Sequence, residues 1–201
     1  MNAAKPLAAM MVAFFFASGP ACPEGVSSNL EPRIETSAGA PKLILPPALL
    51  AEIRHSFPGY RVPSDKETIR EWASDGDFPY AAWGDFDGNG LTDVALILIS
   101  DEKWTLAVFH QQNGRRYSPM PLLARPIRTS DEAQRLQTWE LSFVQRGTPY
   151  KIEHWDEGKT PLTIETLTFP VDAFQLGHLD NGAVLFHWSD GAYQRIDRPY
   201  D

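Results

Sequence analysis

The chain has 201 residues, enough for one folded domain, and 43% of them are hydrophobic, including six Trp, which supplies a packed core and excludes wholesale disorder. Its formal net charge of -8 argues against a nucleic-acid or anionic-membrane partner, because both need a basic face. A single cysteine, Cys22, rules out an intrachain disulfide framework.

Residues 1–21 read as a secretory signal peptide. Lys5 supplies a weakly charged start, residues 7–17 are apolar but too short to span a bilayer, and Gly19 and Ala21 are small enough to flank a cleavage site before Cys22. Cys22 stands where bacterial lipoproteins carry their lipidated cysteine, although Gly19 and Pro20 depart from that pattern. Two readings stay open, a lipid anchor at Cys22 or a free exported protein, and mass spectrometry of the mature N-terminus separates them. Residues 22–42 are rich in Pro, Ser and Gly and read as a flexible tether leading to a single domain over 43–201.

The domain opens with helical spacing. Pro47 suits a first turn, and Leu49, Leu50, Ile53 and Phe57 recur on one face, so a helix is predicted over 47–56, ended by Pro58-Gly59. A short extended link at 60–63 follows. Ser64 and Glu67 form a capping box for a second short helix, with Ile69 and Trp72 facing the core.

From residue 81 onward the pattern is that of β-structure. Strands are predicted at 81–83, 94–100, 104–110 and 115–118, then at 139–144, 150–155, 162–169, 171–176, 183–188 and 192–196. Residues 95–99 are all apolar, so both faces of that strand should be buried. The hairpin with His110, Asn113-Gly114 and Tyr117 has an echo in His187, Asp190-Gly191 and Tyr193.

The chemistry concentrates in residues 84–99, G-D-F-D-G-N-G-L-T-D-V-A-L-I-L-I. Asp85, Asp87, Asn89 and Asp93 place oxygen-bearing side chains on odd positions of one short loop, with Gly88 and Gly90 between them. A hard cation such as Ca²⁺ takes six to eight oxygens at roughly 2.3–2.6 Å. Asp85, Asp87 and Asn89 would give the first three, the backbone carbonyl of Leu91 the next, and Asp93 would close the shell. Three carboxylates crowded together would repel one another without a cation, which is the physical ground for expecting one Ca²⁺ here. A plain Asn-Gly turn is the metal-free alternative.

The twelfth position counted from Asp85 is Leu96, where an EF-hand needs a bidentate Glu, and no amphipathic helix follows. The loop instead resembles those of FG-GAP and VCBS-type repeats, the blade motifs of integrin-like β-propellers, in which D-x-D-x-[DN]-G-x-x-D runs directly into an apolar strand. The resemblance covers residues 81–117 and is faint elsewhere. It implies a calcium-stabilised β-blade.

A closed propeller needs at least four blades of about forty residues, whereas residues 43–201 carry one good blade motif and one degenerate one. The expected fold class is therefore α+β: a predominantly antiparallel β-sheet assembly of blade-like hairpins, not a closed propeller, with two short N-terminal helices.

Catalytic signatures are missing from the sequence. There is no G-x-S-x-G, no H-E-x-x-H, no cysteine pair for zinc and no Walker-type glycine loop. His154 beside Asp156 and Glu157, and His178 near Asp180, are the only places where His and acids cluster, and both read as strand ends or turns. Trp139, Trp155, Trp188 and Tyr193 could line a groove for sugar or peptide, or fill the core. The expected function is a non-catalytic, exported calcium-binding module of the cell envelope that acts on a protein or glycan ligand and touches the membrane only through Cys22. The alternative is a small metal-supported hydrolase with its site beside residues 85–93, marked by an open coordination position facing a cleft.

Overall fold

A computed structural model describes residues 31–37, 40–64, 78–113, 115–127, 139–154, 163–178 and 182–198. The expected signal peptide, the second helix beyond Ser64, and Trp155, Asp156, Glu157 and Asp180 lie outside these residues.

Strands β1 (Arg33–Ser37) and β2 (Ala40–Ile44) form a hairpin. It lies largely within the stretch whose composition suggests a tether, and Ile34 and Leu43 pack against the main core. Helix α1 (Pro47–Ser56) begins and ends where the periodicity places it. Leu49 and Ile53 are buried, but Leu50 is exposed, so the apolar face is narrower than expected. It is the one α-helix among the described residues, where the sequence suggested two. The extended link after it bridges to the first sheet: Arg61 and Ile99 exchange backbone hydrogen bonds of 2.9 and 2.8 Å.

The first sheet contains β3 (Ala81–Gly84), β4 (Asp93–Ile99), β5 (Lys103–Gln112) and β6 (Arg116–Pro126), in chain order and antiparallel throughout. Every residue of β4 is buried. The register explains why. On β5, Trp104 meets Trp139 and His110 meets Trp188 and Tyr193, so the even-numbered face turns toward the second sheet. Phe109, on the other face, meets Phe57 just past α1. The sheet is thus covered on both sides, and each fully buried Leu or Ile of β4 contributes ~1.5–3 kcal/mol relative to an exposed one. The outer strand β6 carries Pro119, Pro121 and Pro126, which leave few amides for another chain to pair with and so blunt this edge.

The second sheet orders β7 (Trp139–Val144), β10 (Ala173–His178), β11 (Gly182–Ser189) and β12 (Ala192–Arg198) as β12-β11-β10-β7, again antiparallel. Between β7 and β10 the chain makes a separate hairpin, β8 (Tyr150–His154) with β9 (Thr163–Leu167). The sheets meet through aromatic contacts, among them Phe86 with Phe174 at 4.9 Å between ring centroids. A smaller cluster of Val144, Phe169, Ala173 and Leu185 fills the far face of the second sheet, with Tyr150 and Leu167 packed on it. Among the described residues the result is mostly antiparallel β-structure, two four-stranded sheets and two hairpins, with no closed barrel.

The two echoed hairpins take corresponding turns. Asn113 and Asp190, the matching residues, both have positive φ, 48° and 55°. Asn and Asp tolerate that conformation better than other side chains. Their histidines do not face each other, however. His110 lies between the sheets against Trp188, while His187, one residue away from Trp188, points to the opposite face and meets Phe169. Trp139, Trp188 and Tyr193 are half-buried and pack against neighbouring aromatic rings.

Candidate metal centre

The loop between β3 and β4 is built by its own short polar residues. Gly88 and Gly90 have φ of 80° and 82°, where a side chain is strained. Asp87 Oδ1 accepts the Asn89 N–H at 3.0 Å, and Asn89 Oδ1 accepts the Leu91 N–H at 2.7 Å. These two Asx turns curl the chain back toward β4. The Asn89 side-chain amide donates to Asp87 Oδ2 and to the Gln111 carbonyl, both at 3.1 Å, which ties the loop to β5.

Asp93 opens β4 and is fully buried. Its carboxylate is the hub of the loop. Oδ2 accepts from the N–H groups of Phe86 at 3.1 Å and Asp87 at 3.3 Å, and Oδ1 accepts from Gln111 N–H at 2.8 Å. His110 Nδ1 lies 3.1 Å from Asp93 Oδ2 and 3.4 Å from Asp87 Oδ2. An ionised carboxylate can only accept, so Nδ1 is the protonated nitrogen facing it while no cation is bound. Burial pushes the Asp93 carboxyl above the usual aspartate range; hydrogen bonds from His110 and Gln111 pull against that, and the neighbouring charge of Asp87 adds to it.

Asp87, Asp93 and His110 could hold a metal ion: each offers one ligand atom, and those atoms lie within 4.8 Å of one another. Two of the three belong to the set read from the sequence. Of the rest, Asp85 turns toward the second sheet. Its Oδ2 is 3.6 Å from Arg146 Nη1, and its N–H donates to Asp172 Oδ2 at 2.9 Å. Asp172 in turn accepts from Arg146 N–H at 2.9 Å and donates its own N–H to the Asp85 carbonyl at 3.1 Å. Asp85 therefore takes part in a clasp between the sheets. The Asn89 side chain is spent on the loop's own hydrogen bonds, and Leu91 is half-buried beside it.

His110 is the residue the loop motif does not announce. The signal for it was the β-register. Val94 stands opposite Phe109, so one step outward places His110 across from Asp93 on the same face.

Unpaired polar atoms surround the loop. Asp85 Oδ1, His110 Nε2, and the hydroxyls of Tyr117 and Tyr193 are buried without a hydrogen-bond partner. Burial, then the charge of Asp93, holds the Tyr117 phenol above its ordinary pKa. Burial followed by the charges of Asp93 and Asp87 does the same for Tyr193. Both phenols stay neutral. A cation held by Asp87, Asp93 and His110 would offset the charge of the two carboxylates, so this donor set fits a divalent ion.

Two cavities are lined by described residues. One, of about 530 Å³, lies along β3 and β7; the other, of about 420 Å³, is lined by Phe169, His187 and Trp188 among others; none of Asp87, Asp93 and His110 lines either. No protein-family model matches the chain, and neither a curated protein nor a solved structure matches it. The described residues define a class: a mostly antiparallel β domain with one helix among them and an Asp/His cluster that could hold a metal ion. Among the described residues no helix is long and apolar enough to cross a membrane.

Proposed function

We propose that this chain is a non-catalytic, exported calcium-binding module of the cell envelope. The ion stabilises the loop that joins β3 to β4, and the domain acts by binding a protein or glycan. The observation that carries the reading is the convergence of Asp87 and Asp93, with His110, at a glycine-shaped loop. Support for export is the charged, apolar, small-residue order of residues 1–21. The hydrolase alternative has less support, because none of Asp87, Asp93 and His110 lines either of the two described cavities.

One observation favours a second reading of the ion. His110 contributes a nitrogen, which suits Mn²⁺ or Zn²⁺ better than Ca²⁺. Thermal unfolding of the metal-free chain against Ca²⁺, Mg²⁺, Mn²⁺ and Zn²⁺ separates the two. At a hundredfold excess over Kd a ligand adds ~2.7 kcal/mol, or about 5–11 °C for a domain of this size. Ca²⁺ should give that shift, and Asp87→Asn should abolish it. A shift from Zn²⁺ or Mn²⁺ alone would replace calcium by that ion, and no shift from any of the four would end the metal reading.

A further inference from the structure

A cavity of about 530 Å³ beside β3 has no part in the metal cluster. It is of small-molecule size. Its described walls come mainly from two edge strands, β3 and β7, with Ile34 of β1 and the Phe78-Pro79 segment beside them.

Its shape limits what can enter. Two sheet edges side by side would ordinarily invite an extended peptide to pair with both. Here they already touch. The Leu141 N–H donates to the Pro79 carbonyl at 2.6 Å. Near the other end of β3 the Phe143 ring lies so close to Gly84 that an added Cβ would sit 2.6 Å from it. These contacts leave no gap wide enough for an added strand, which needs ~4.7–4.9 Å on each side. A compact ring-shaped ligand remains.

Its chemistry narrows the ligand further. Phe78, Trp83 and Phe143 supply aromatic surface, and Glu140 and Ser142 bring a carboxylate and a hydroxyl to the same lining. Phe143 is 46% exposed, a large apolar side chain left at the mouth of a cavity rather than in the core. Among the described residues of the lining there is no Lys, Arg or His, and the Glu140 carboxylate disfavours an anionic ligand. A pyranose ring answers each feature. Its C–H face stacks on an aromatic ring, its hydroxyls bond to carboxylate, hydroxyl and strand-edge backbone, and it carries no charge.

We propose that this cleft is a binding site for a neutral sugar ring of a glycan, with Trp83 and Phe143 as its stacking walls and Glu140 and Ser142 as its hydroxyl-bonding groups. This rests on the reading of the domain as a binding module, but not on the cation, whose candidate ligands are absent from the lining.

The test is calorimetric titration of the wild-type chain with cellotetraose, chitotetraose and maltotetraose, in Ca²⁺ and again in EDTA. At least one should bind saturably in both buffers. Phe143→Ser, at an exposed position, and Ser142→Trp, which fills the cleft, should each weaken that binding at least tenfold while the melting transition stays cooperative. Trp83→Leu should do the same. Failure of all three sugars to bind, or binding that survives Phe143→Ser and Ser142→Trp, overturns the site. Binding lost in EDTA would also overturn it, by locating the sugar at the metal loop. Failure of the metal reading alone appears differently, as sugar binding with no cation-induced thermal shift.

Discussion

Asp93→Asn isolates the hub of the loop without changing its shape. The carboxylate accepts four donors, three from backbone N–H groups and one from His110, in a fully buried position. An amide has one acceptor oxygen. Whichever way it is turned, its NH₂ group meets at least one donor, Gln111 N–H on one side or the Phe86, Asp87 and His110 group on the other. A buried donor left unsatisfied costs ~1–3 kcal/mol, and hydrogen bonds to a charged acceptor are stronger than neutral ones by about 1 kcal/mol. Relief of the burial penalty that raises the Asp93 pKa works in the opposite direction. The net loss should be about 2 kcal/mol in EDTA, read from urea unfolding followed by tryptophan fluorescence, with a melting point lower by about 4–8 °C. The loss in EDTA follows from hydrogen bonding alone; in Ca²⁺ it should be larger. A variant as stable as wild type in EDTA would refute the claim that Asp93 organises the loop.

Asp172→Ala removes the acceptor shared by the N–H groups of Asp85 and Arg146 and so opens the clasp between the sheets; differential scanning calorimetry should show a loss of about 1–3 kcal/mol, and an unchanged melting point would mean the clasp contributes nothing. His187 has its pKa lowered by burial, partly offset by a backbone hydrogen bond at Trp188. A histidine held below its unfolded value binds fewer protons when folded, so its contribution to stability is present above about pH 6.5 and declines as pH falls through that value toward the lower folded pKa. His187→Gln should therefore flatten the stability profile between about pH 7.5 and 5 relative to wild type, measured by urea unfolding at each pH, and parallel profiles would exclude the assignment.

The fold was legible where local pattern decides. Pro47 and the apolar spacing placed α1 to the residue, and alternation placed β7 at its observed bounds. The strand leaving the loop was recognised as buried on both faces because its run of aliphatic side chains leaves no polar face. Pattern failed where a neighbour decides. The β1–β2 hairpin was obscured by Pro and Gly in a stretch that reads as a linker, although Ile34 and Leu43 are held by the core. The extent of β6 was masked by its three prolines, which an edge strand tolerates because its outer amides need no partner. At the site, Asp87 and Asp93 were visible through loop spacing. His110 depends on cross-strand register, and the turn of Asp85 toward Arg146 depends on how one sheet docks on the other. Neither can be read from spacing within the loop.

The most direct test of the account is a crystal structure of the chain grown with Ca²⁺. A single ion bound at ~2.3–2.6 Å by oxygens of Asp87 and Asp93, with the β3–β4 loop curled around it, is the predicted result. A loop that holds no ion at saturating Ca²⁺, with Asp93 still bonded to its four donors, would contradict it.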